Sequence, residues 1–338
     1  MKVLVTGGAG YIGSHTLVEL AAAGHEALVV DNFSTSTPAS LDGVAAISGK
    51  TQRVVVADVR DASAMARICA DFMPDAAIHF AGLKSVAESA SAPLEYYDVN
   101  FCGTVALVRA LGACGCRRLV FSSSATVYGE PQRLPIDEDH PLSAINPYGR
   151  SKLMVEDMLR DLAAADPARG VAILRYFNPV GAHPSVLIGE TPMGAPANLA
   201  PFVADVAAGV RPDVVIFGDD YLTPDGTGVR DYIHVVDLAR AHVAALEWTG
   251  QAAEQRLGAR AFNIGLGRGF SVLEMIDAFE SASGRKIAHR AAARRPGDVA
   301  ACVADVSRAE REMSWRAVRG VPEMARDAWA WRLRLGVA

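Results

Sequence analysis

The chain has 338 residues, 51% of them hydrophobic and 21% charged, with a formal net charge of −5. At about 150 residues per domain this length predicts two domains, or one core with a large cap, and there is ample apolar material to bury. The acidic balance argues against nucleic acid or an anionic membrane as partner, though local arginines can still make a positive pocket for an anionic substrate. Five cysteines, Cys69, Cys102, Cys114, Cys116 and Cys302, form no disulfide-like framework, which points to a reducing compartment. The Cys114/Cys116 spacing fits neither a zinc nor a thioredoxin-like motif, and no His/Cys/carboxylate cluster has metal-ligand spacing, so no metal is expected. Met1-Lys2 runs directly into an apolar strand without a leader pattern, and no apolar stretch of about 20 residues is available to span a bilayer. The expectation is a soluble, cytoplasmic protein.

In chain order, short β-branched runs at Val3–Thr6, Ala27–Val30, Arg53–Val56, Ala76–Phe80, Leu119–Ser122 and Ala172–Arg175 predict buried strands. Between them, Ile12–Ala23, Ala62–Asp71, Pro93–Ala113 and Tyr148–Ala165 predict helices. Such alternation implies right-handed crossovers and a parallel sheet with helices on both faces. From Pro179 the texture changes. Pro179–Ala200 reads as irregular, Asn198–Gly209 as helical, Val214–Phe217 as a strand and Gly218–Arg230 as a polar loop, with helices at Asp237–Trp248 and Ser271–Ser283. His79 follows an apolar run and His234 sits in a strand pattern; both read as satisfied structural residues. No internal repeat is present.

Thr6-Gly7-Gly8-Ala9-Gly10-Tyr11-Ile12-Gly13 follows the first strand and opens the first helix, with G-x-G-x-x-G at Gly8, Gly10 and Gly13. Gly7 and Gly8 allow a tight turn, Gly10 lets the backbone approach a pyrophosphate, and Gly13 lets the helix pack on the sheet, while the helix N-terminus offers free N–H donors. Asp31 ends the second strand 18 residues beyond Gly13, where an acid accepts from a ribose 2′-hydroxyl and repels a 2′-phosphate. NAD is therefore favoured over NADP. The fold class expected is α/β: a doubly wound parallel sheet of Rossmann type over residues 1–178, with a smaller, mostly C-terminal substrate-binding α/β domain over 179–338. The reading leaves open that segments near 230–265 return to the first domain.

Tyr148-Gly149-Arg150-Ser151-Lys152 gives Y-x-x-x-K at a helix start, placing Tyr and Lys on one face a turn apart. A tyrosine with a pKa near 10 needs on the order of 4 kcal/mol of help to act as a base at neutral pH. A neighbouring ammonium and a cationic nicotinamide ring favour the phenolate. Upstream, Ser122-Ser123-Ser124-Ala125-Thr126 leaves a strand at its C-terminal end, where a serine hydroxyl can bridge substrate and tyrosine.

This constellation resembles the extended short-chain dehydrogenase/reductase superfamily. More narrowly, His79–Lys84, Ser122–Gly129, Arg175–Pro179 and Gly226–His234 look like the blocks of the UDP-glucose 4-epimerase family, and the likeness spans Lys2 to about Trp331. By that resemblance the catalytic set is Ser124, Tyr148 and Lys152. The family's chemistry is C4 inversion of a UDP-hexose: Tyr148 takes the proton of the sugar 4-hydroxyl, C4 passes a hydride to tightly held NAD, and the 4-keto sugar swings over before the hydride returns. The resemblance assigns the cofactor Gly7, Gly10, Tyr11, Ile12 and Gly13 at the glycine turn and Asp31, Asn32, Phe33, Ser34 and Thr35 after the second strand. Asp58 and Val59 fall at the adenine; Phe80, Ala81, Gly82, Lys84, Asn100, Ser122, Tyr148, Lys152 and Tyr176 fall toward the nicotinamide. For the UDP-sugar it implies Lys84, Ser124, Ala125, Thr126, Tyr148, Phe177 and Asn178, then Asn198 and Leu199, with Phe217 at the uracil, Arg230 and Arg295 on the diphosphate and Asp298 at the uridine ribose. It also implies a homodimer paired through helices near Pro93–Ala113 and Tyr148–Ala165.

Taken singly, several of these residues have plainer readings: Arg294-Arg295 as a solvated pair, Asp58 as a turn cap, Phe217 as core. Three positions depart from the family pattern. Ala197 precedes Asn198 where two asparagines are usual, Pro296 replaces an acid before Gly297-Asp298, and Cys302 stands where members restricted to plain hexoses carry a tyrosine. The small Cys302 suggests that UDP-GlcNAc and UDP-GalNAc are accepted as well, the alternative being core filler. Other readings are another NAD-dependent nucleotide-sugar epimerase, a 4,6-dehydratase, and a non-catalytic NAD-binding protein. The dehydratase needs an acid pair that Ser124-Ala125-Thr126 lacks, and a non-catalytic protein has no need to keep both Tyr148 and Lys152.

Overall fold

The computed structural model describes residues 1–336 except 192, 193, 195, 197 and 296. Ala197 and Pro296 thus lie outside the described residues. The first half alternates β1 (Lys2–Thr6), α1 (Tyr11–Ala22), β2 (Glu26–Asp31), α2 (Ala39–Ser48), β3 (Arg53–Val56), α3 (Ala62–Phe72) and β4 (Ala76–His79). It continues through α4 (Val86–Ser91), α5 (Pro93–Tyr96), α6 (Gly103–Ala113), β5 (Arg118–Ser124), α7 (Pro147–Ala165) and β6 (Gly170–Tyr176). Then come β7 (Asn178–Val180), α8 (Leu199–Ala207), β8 (Val214–Phe217), β9 (Val229–His234), α9 (Val235–Gln255) and β10 (Ala259–Ile264). The chain closes with β11 (Gly269–Ser271), α10 (Val272–Ser283), β12 (His289–Ala292), β13 (Ala301–Cys302), α11 (Ser307–Met313) and α12 (Val321–Arg334).

Seven parallel strands form the main sheet in the order β10-β6-β5-β4-β1-β2-β3. Side chains alternate across it, so Val3 and Val5 pack toward α1, α2 and α9 with Leu17, Leu20, Leu238 and Trp248. Leu4 enters the opposite layer with Met65, Phe72, Leu107 and Leu159. Burial on both faces is why these strands read as continuous apolar runs. A separate core joins α8, α10 and α12 to the β8–β12 pair through Val203, Ile216, Met275, Phe279 and Met324. Among the described residues no helix is long and apolar enough to cross a membrane.

Several expectations need correction. The Pro93–Ala113 helix is interrupted by a wider π turn at Tyr97–Cys102, which re-aims Asn100 toward neighbouring loops. The stretch after Pro179 is not wholly irregular, because Asn178–Val180 pairs in parallel with β9. β9 begins at Val229, inside the stretch read as loop, and Asn198 is the N-cap of α8, not its first turn. The Asp237–Trp248 helix is longer, Val235–Gln255, and β10 after it joins the edge of the main sheet. These elements depend on long-range pairing partners, which periodicity does not reveal.

Candidate active site

All the strands of the main sheet are parallel, so their C-terminal ends share one edge, where the glycine turn, Asp31, Phe80, Ser122, Ser124 and Tyr176 fall. At β1 the chain turns through Gly7, whose φ of 71° is left-handed and whose absent Cβ would stand 2.5 Å from the Ala81 nitrogen. Gly13 is as tightly held, since a Cβ there would lie 2.5 Å from the Gly7 oxygen. Among the described residues no side chain caps α1, leaving its first N–H groups to face the turn. A backbone cradle that any Cβ would fill, at an uncapped helix N-terminus, fits a pyrophosphate.

Asp31 sits beside this cradle, with its carboxylate accepting from Ala9 N at 2.9 Å, Phe33 N at 2.9 Å and Ser36 Oγ at 2.9 Å. It therefore ties the glycine turn to the loop after β2. Asn32, Ser34 and Thr35 line the exposed rim, while Phe33 is half-buried. Asn32 donates to Asp58 at 3.0 Å. Hydrogen bonds from Arg60 pull the Asp58 carboxyl down to about 2. Arg60, which sequence reasoning missed, also reaches Glu95 and Asp98 and so links the β3 loop, next to buried Val59, to the π turn.

Toward the other end, Phe80–Lys84 follow β4. The Asn100 amide grips this loop, accepting from Leu83 N at 2.8 Å and donating to Leu83 O at 3.1 Å and Ser151 Oγ at 3.0 Å. A Cβ on Gly82 would lie 2.9 Å from Asn100 Oδ1 and 3.5 Å from Lys152 Nζ, so loop, Asn100 and Lys152 converge. Tyr176 hydrogen-bonds His242, and burial raises its hydroxyl against the pull of Ser122. Burial pushes His242 down to about 3, and its ring lies 4.7 Å from that of Phe80.

Tyr148 and Lys152 are both on α7, which Asn146 caps through a 2.8 Å bond from Gly149 N and Pro147 opens. Lys152 is buried and donates to Ser122 O at 2.9 Å, its ammonium 6.0 Å from the Tyr148 ring centroid. Burial lowers Lys152 to about 8. It is still about nine-tenths cationic at pH 7. Burial raises Tyr148, while its hydrogen bond to the Ser124 hydroxyl acts in the opposite direction. Ser124 in turn accepts from Thr126 N at 3.2 Å and Thr126 Oγ1 at 3.0 Å, which fixes its rotamer in the turn that also carries Ala125. The arrangement is a serine hydroxyl, a phenol and an ammonium gathered at one strand end, suited to moving a proton at a substrate hydroxyl.

The remaining positions fall on the smaller subdomain side. Phe177 is buried in a cluster with Val127, Tyr128, Ile136 and Ala304, against which Cys302 packs half-buried. Cys302 lies opposite Arg230 in the β13–β9 pair. Burial pushes its thiol up to about 11, so it is uncharged and inert at neutral pH. Arg295 donates to Asp298 at 2.9 Å, Arg230 approaches the same carboxylate at 3.9 Å, and the Arg295 guanidinium lies 4.6 Å from the Phe217 ring centroid. Phe217 is 38% exposed at the end of β8, so it is surface and not core. Asn178 opens β7, and Asn198 and Leu199 open α8.

Glu190 is a second residue that sequence reasoning missed. Its Oε1 accepts from Lys84 Nζ at 2.9 Å and Asn198 Nδ2 at 3.4 Å, and its carbonyl accepts from Trp331 Nε1 at 2.9 Å. It thereby joins the β4 loop to the segment before α8. Its separation from Lys84 along the chain left no local signal.

Residues 3–265 match the family model described as the NAD dependent epimerase/dehydratase family. The chain is 54% identical over 332 residues to a UDP-glucose 4-epimerase of Bacillus subtilis, with 98% of this chain and 97% of that protein covered. Among solved structures it is similar to a Stenotrophomonas maltophila UDP-glucose-4-epimerase with bound NAD and formylated UDP-arabinopyranose (TM-score 0.96, 50% identity, 99% of this chain and 98% of that one). It is similar also to a Bifidobacterium longum UDP-glucose 4-epimerase in complex with NAD+ and UDP (TM-score 0.93, 49% identity, 99% and 98% covered).

Proposed function

Because this chain belongs to the NAD-dependent epimerase/dehydratase family, and within it to the UDP-glucose 4-epimerases, we propose that it interconverts UDP-galactose and UDP-glucose through a transient 4-keto sugar. The observation that carries the reading is the gathering of Ser124, Tyr148 and Lys152 at the end of β5, beside a cradle that fits a pyrophosphate.

Tyr148 is the base that takes the proton of the sugar 4-hydroxyl and returns it to the 4-oxygen once the ring has turned. Ser124 bridges the two oxygens. Lys152 holds its ammonium near the phenol ring and favours the phenolate, which burial alone disfavours. When bound, NAD supplies a reversible hydride acceptor at C4. Gly7, Gly10, Tyr11, Ile12 and Gly13 hold its pyrophosphate and Asp31–Thr35, Asp58 and Val59 its adenosine. Phe80–Gly82, Lys84, Asn100, Ser122 and Tyr176 wall the nicotinamide. Arg230 and Arg295 grip the substrate diphosphate while Asp298 holds them in place and meets the uridine ribose, leaving the sugar free to turn. Phe177, Asn178, Asn198, Leu199 and Phe217 complete the UDP-sugar pocket, with residues 1–178 as cofactor domain and 179–338 as substrate domain.

Cys302, a small side chain packed against the Phe177 cluster, supports UDP-GlcNAc and UDP-GalNAc as further substrates. The protein pairs as a homodimer through α5–α6 and α7, where Leu94 and Met154 are exposed. It works in the reducing cytoplasm, a reading supported by its free cysteines. The test is incubation of the purified protein with UDP-galactose and no added NAD. Formation of UDP-glucose supports epimerisation with a retained cofactor, whereas absence of product even after NAD is supplied overturns the reading.

A further inference from the structure

Behind the serines of β5 lies a buried polar network that the chemistry above does not use. Glu156 sits one turn beyond Lys152 on α7 and is fully buried. Its Oε1 accepts from Ser123 Oγ at 2.5 Å and Arg175 Nε at 3.0 Å; its Oε2 accepts from Arg175 Nη2 and Arg160 Nη2, each at 2.6 Å. Arg175, 1% exposed, stands opposite Ser123 in the β5–β6 register. Strand alternation puts Ser123 and Arg175 on the face that meets α7, and Ser122, Ser124 and Tyr176 on the other. Arg175 Nη1 also donates to Tyr128 Oη at 2.9 Å and Glu138 O at 3.2 Å, closing the network on its far side.

A buried ion pair is weak evidence for stability, because desolvation consumes much of the Coulomb gain; its stronger effect is to make one geometry unique. Here the geometry in question is the alignment of α7 with β5. The end of β5 is tied to three successive turns of the helix: the Ser124 hydroxyl to Tyr148, the Ser122 backbone carbonyl to Lys152 and the Ser123 hydroxyl to Glu156. Burial raises Glu156, but the hydrogen bonds and charge of Arg175 outweigh it, so the carboxylate stays ionised.

We propose that Glu156 and Arg175 are positioning residues for the reaction, locking α7 against the end of β5 in the alignment that aims Tyr148 and Lys152 at Ser124. The proposal rests on the reading of Tyr148 as the base. It has a directional signature. Through space alone, removing the negative charge of Glu156 lowers the Tyr148 pKa. Loss of alignment raises it, because the Ser124 hydrogen bond and the Lys152 ammonium both favour the phenolate.

The experiment uses holoenzyme of wild type, Ser123→Ala, Glu156→Gln and Tyr148→Phe. It reads kcat and KM for UDP-galactose and the near-ultraviolet phenolate absorbance as a function of pH. Ser123→Ala removes one tie without stranding a charge and carries the test if Glu156→Gln does not fold. The expected result is kcat lowered about tenfold with KM within about twofold, and the titration step moved up by about one unit. A step that stays in place or moves down, with kcat retained, overturns the positioning role and leaves the pair purely structural. If Tyr148→Phe removes no titration step, the base assignment itself falls and the positioning role with it.

Discussion

Acidification from pH 7.5 to 5.5 should destabilise this protein by about 2 kcal/mol, because His15, His79 and His242 are buried uncharged. Burial pushes each of them down to about 3. His79 is held between the Thr6 and Thr104 hydroxyls at 2.6 and 2.8 Å, and His242 between Tyr176 and Leu238 O, so neither is free to move to water. A histidine whose folded pKa is depressed contributes stability above its unfolded value near 6.5. That contribution is lost as pH falls below about 6.5, because the unfolded chain then binds a proton that the native state refuses. At pH 5.5 each histidine costs about 1.4 kcal/mol, and the three together about 4 kcal/mol. Buried carboxyls oppose them, among them Glu138, which burial also raises. Burial raises Asp231 to about 7 against its bonds from Leu266, Gly267 and Ala304 backbone N–H groups. Titrating there, it returns about 2 kcal/mol over the same interval, so the net loss is about 2 kcal/mol. Urea unfolding followed by circular dichroism at pH 7.5, 6.5 and 5.5 measures this directly. The midpoint should fall with acid, and His242→Phe should flatten the slope. Stability that is level or rising between pH 7.5 and 5.5 would refute the assignment of these histidines as neutral.

Tyr148→Phe should leave the fold intact and lower kcat by about 10³, since a positioned general base contributes roughly 10²–10⁴; near wild-type turnover would remove Tyr148 from the chemistry. Gly13→Ala sets a methyl 2.5 Å from the Gly7 oxygen and 2.8 Å from Gly8 Cα. At about 1–3 kcal/mol for such overpacking, the purified variant should bind NAD about ten- to a hundredfold more weakly, measured by dinucleotide content after gel filtration. Arg230→Ala deletes one of the two guanidinium groups facing Asp298 and should raise KM for UDP-galactose by about tenfold or more, with kcat less affected. Cys302→Tyr sets a bulky ring against the Phe177 cluster and should depress kcat/KM for UDP-GalNAc by about a hundredfold while sparing UDP-galactose; equal losses on both sugars would count against acceptance of the acetamido group through Cys302.

Much of the site was legible because its signals are local. The glycine turn, the acid after β2 and the Tyr148–Lys152 pair each lie within one turn, one βαβ unit or one helical turn, where spacing alone defines geometry. Expectations were weakest where the partner is remote. Pro93–Ala113 keeps a helical pattern, yet one turn is widened where the Asn100 amide bonds the Leu83 loop. Glu190 carries no motif and gains meaning only because Lys84 and Asn198 are folded against it.

The sequence by itself determined the alternation of strands and helices, the parallel sheet with both faces covered, and the residue types at the end of each strand, because hydrophobic period and turn chemistry act over a few residues. Tertiary structure alone decided which of those ends meet. It added β10 to the sheet, brought Phe217, Arg230, Arg295, Asp298 and Cys302 together from four separate segments, and seated Glu156 on Ser123 and Arg175. Those meetings depend on loop closure and on the satisfaction of buried charge across the whole fold, and neither leaves a periodic trace along the chain.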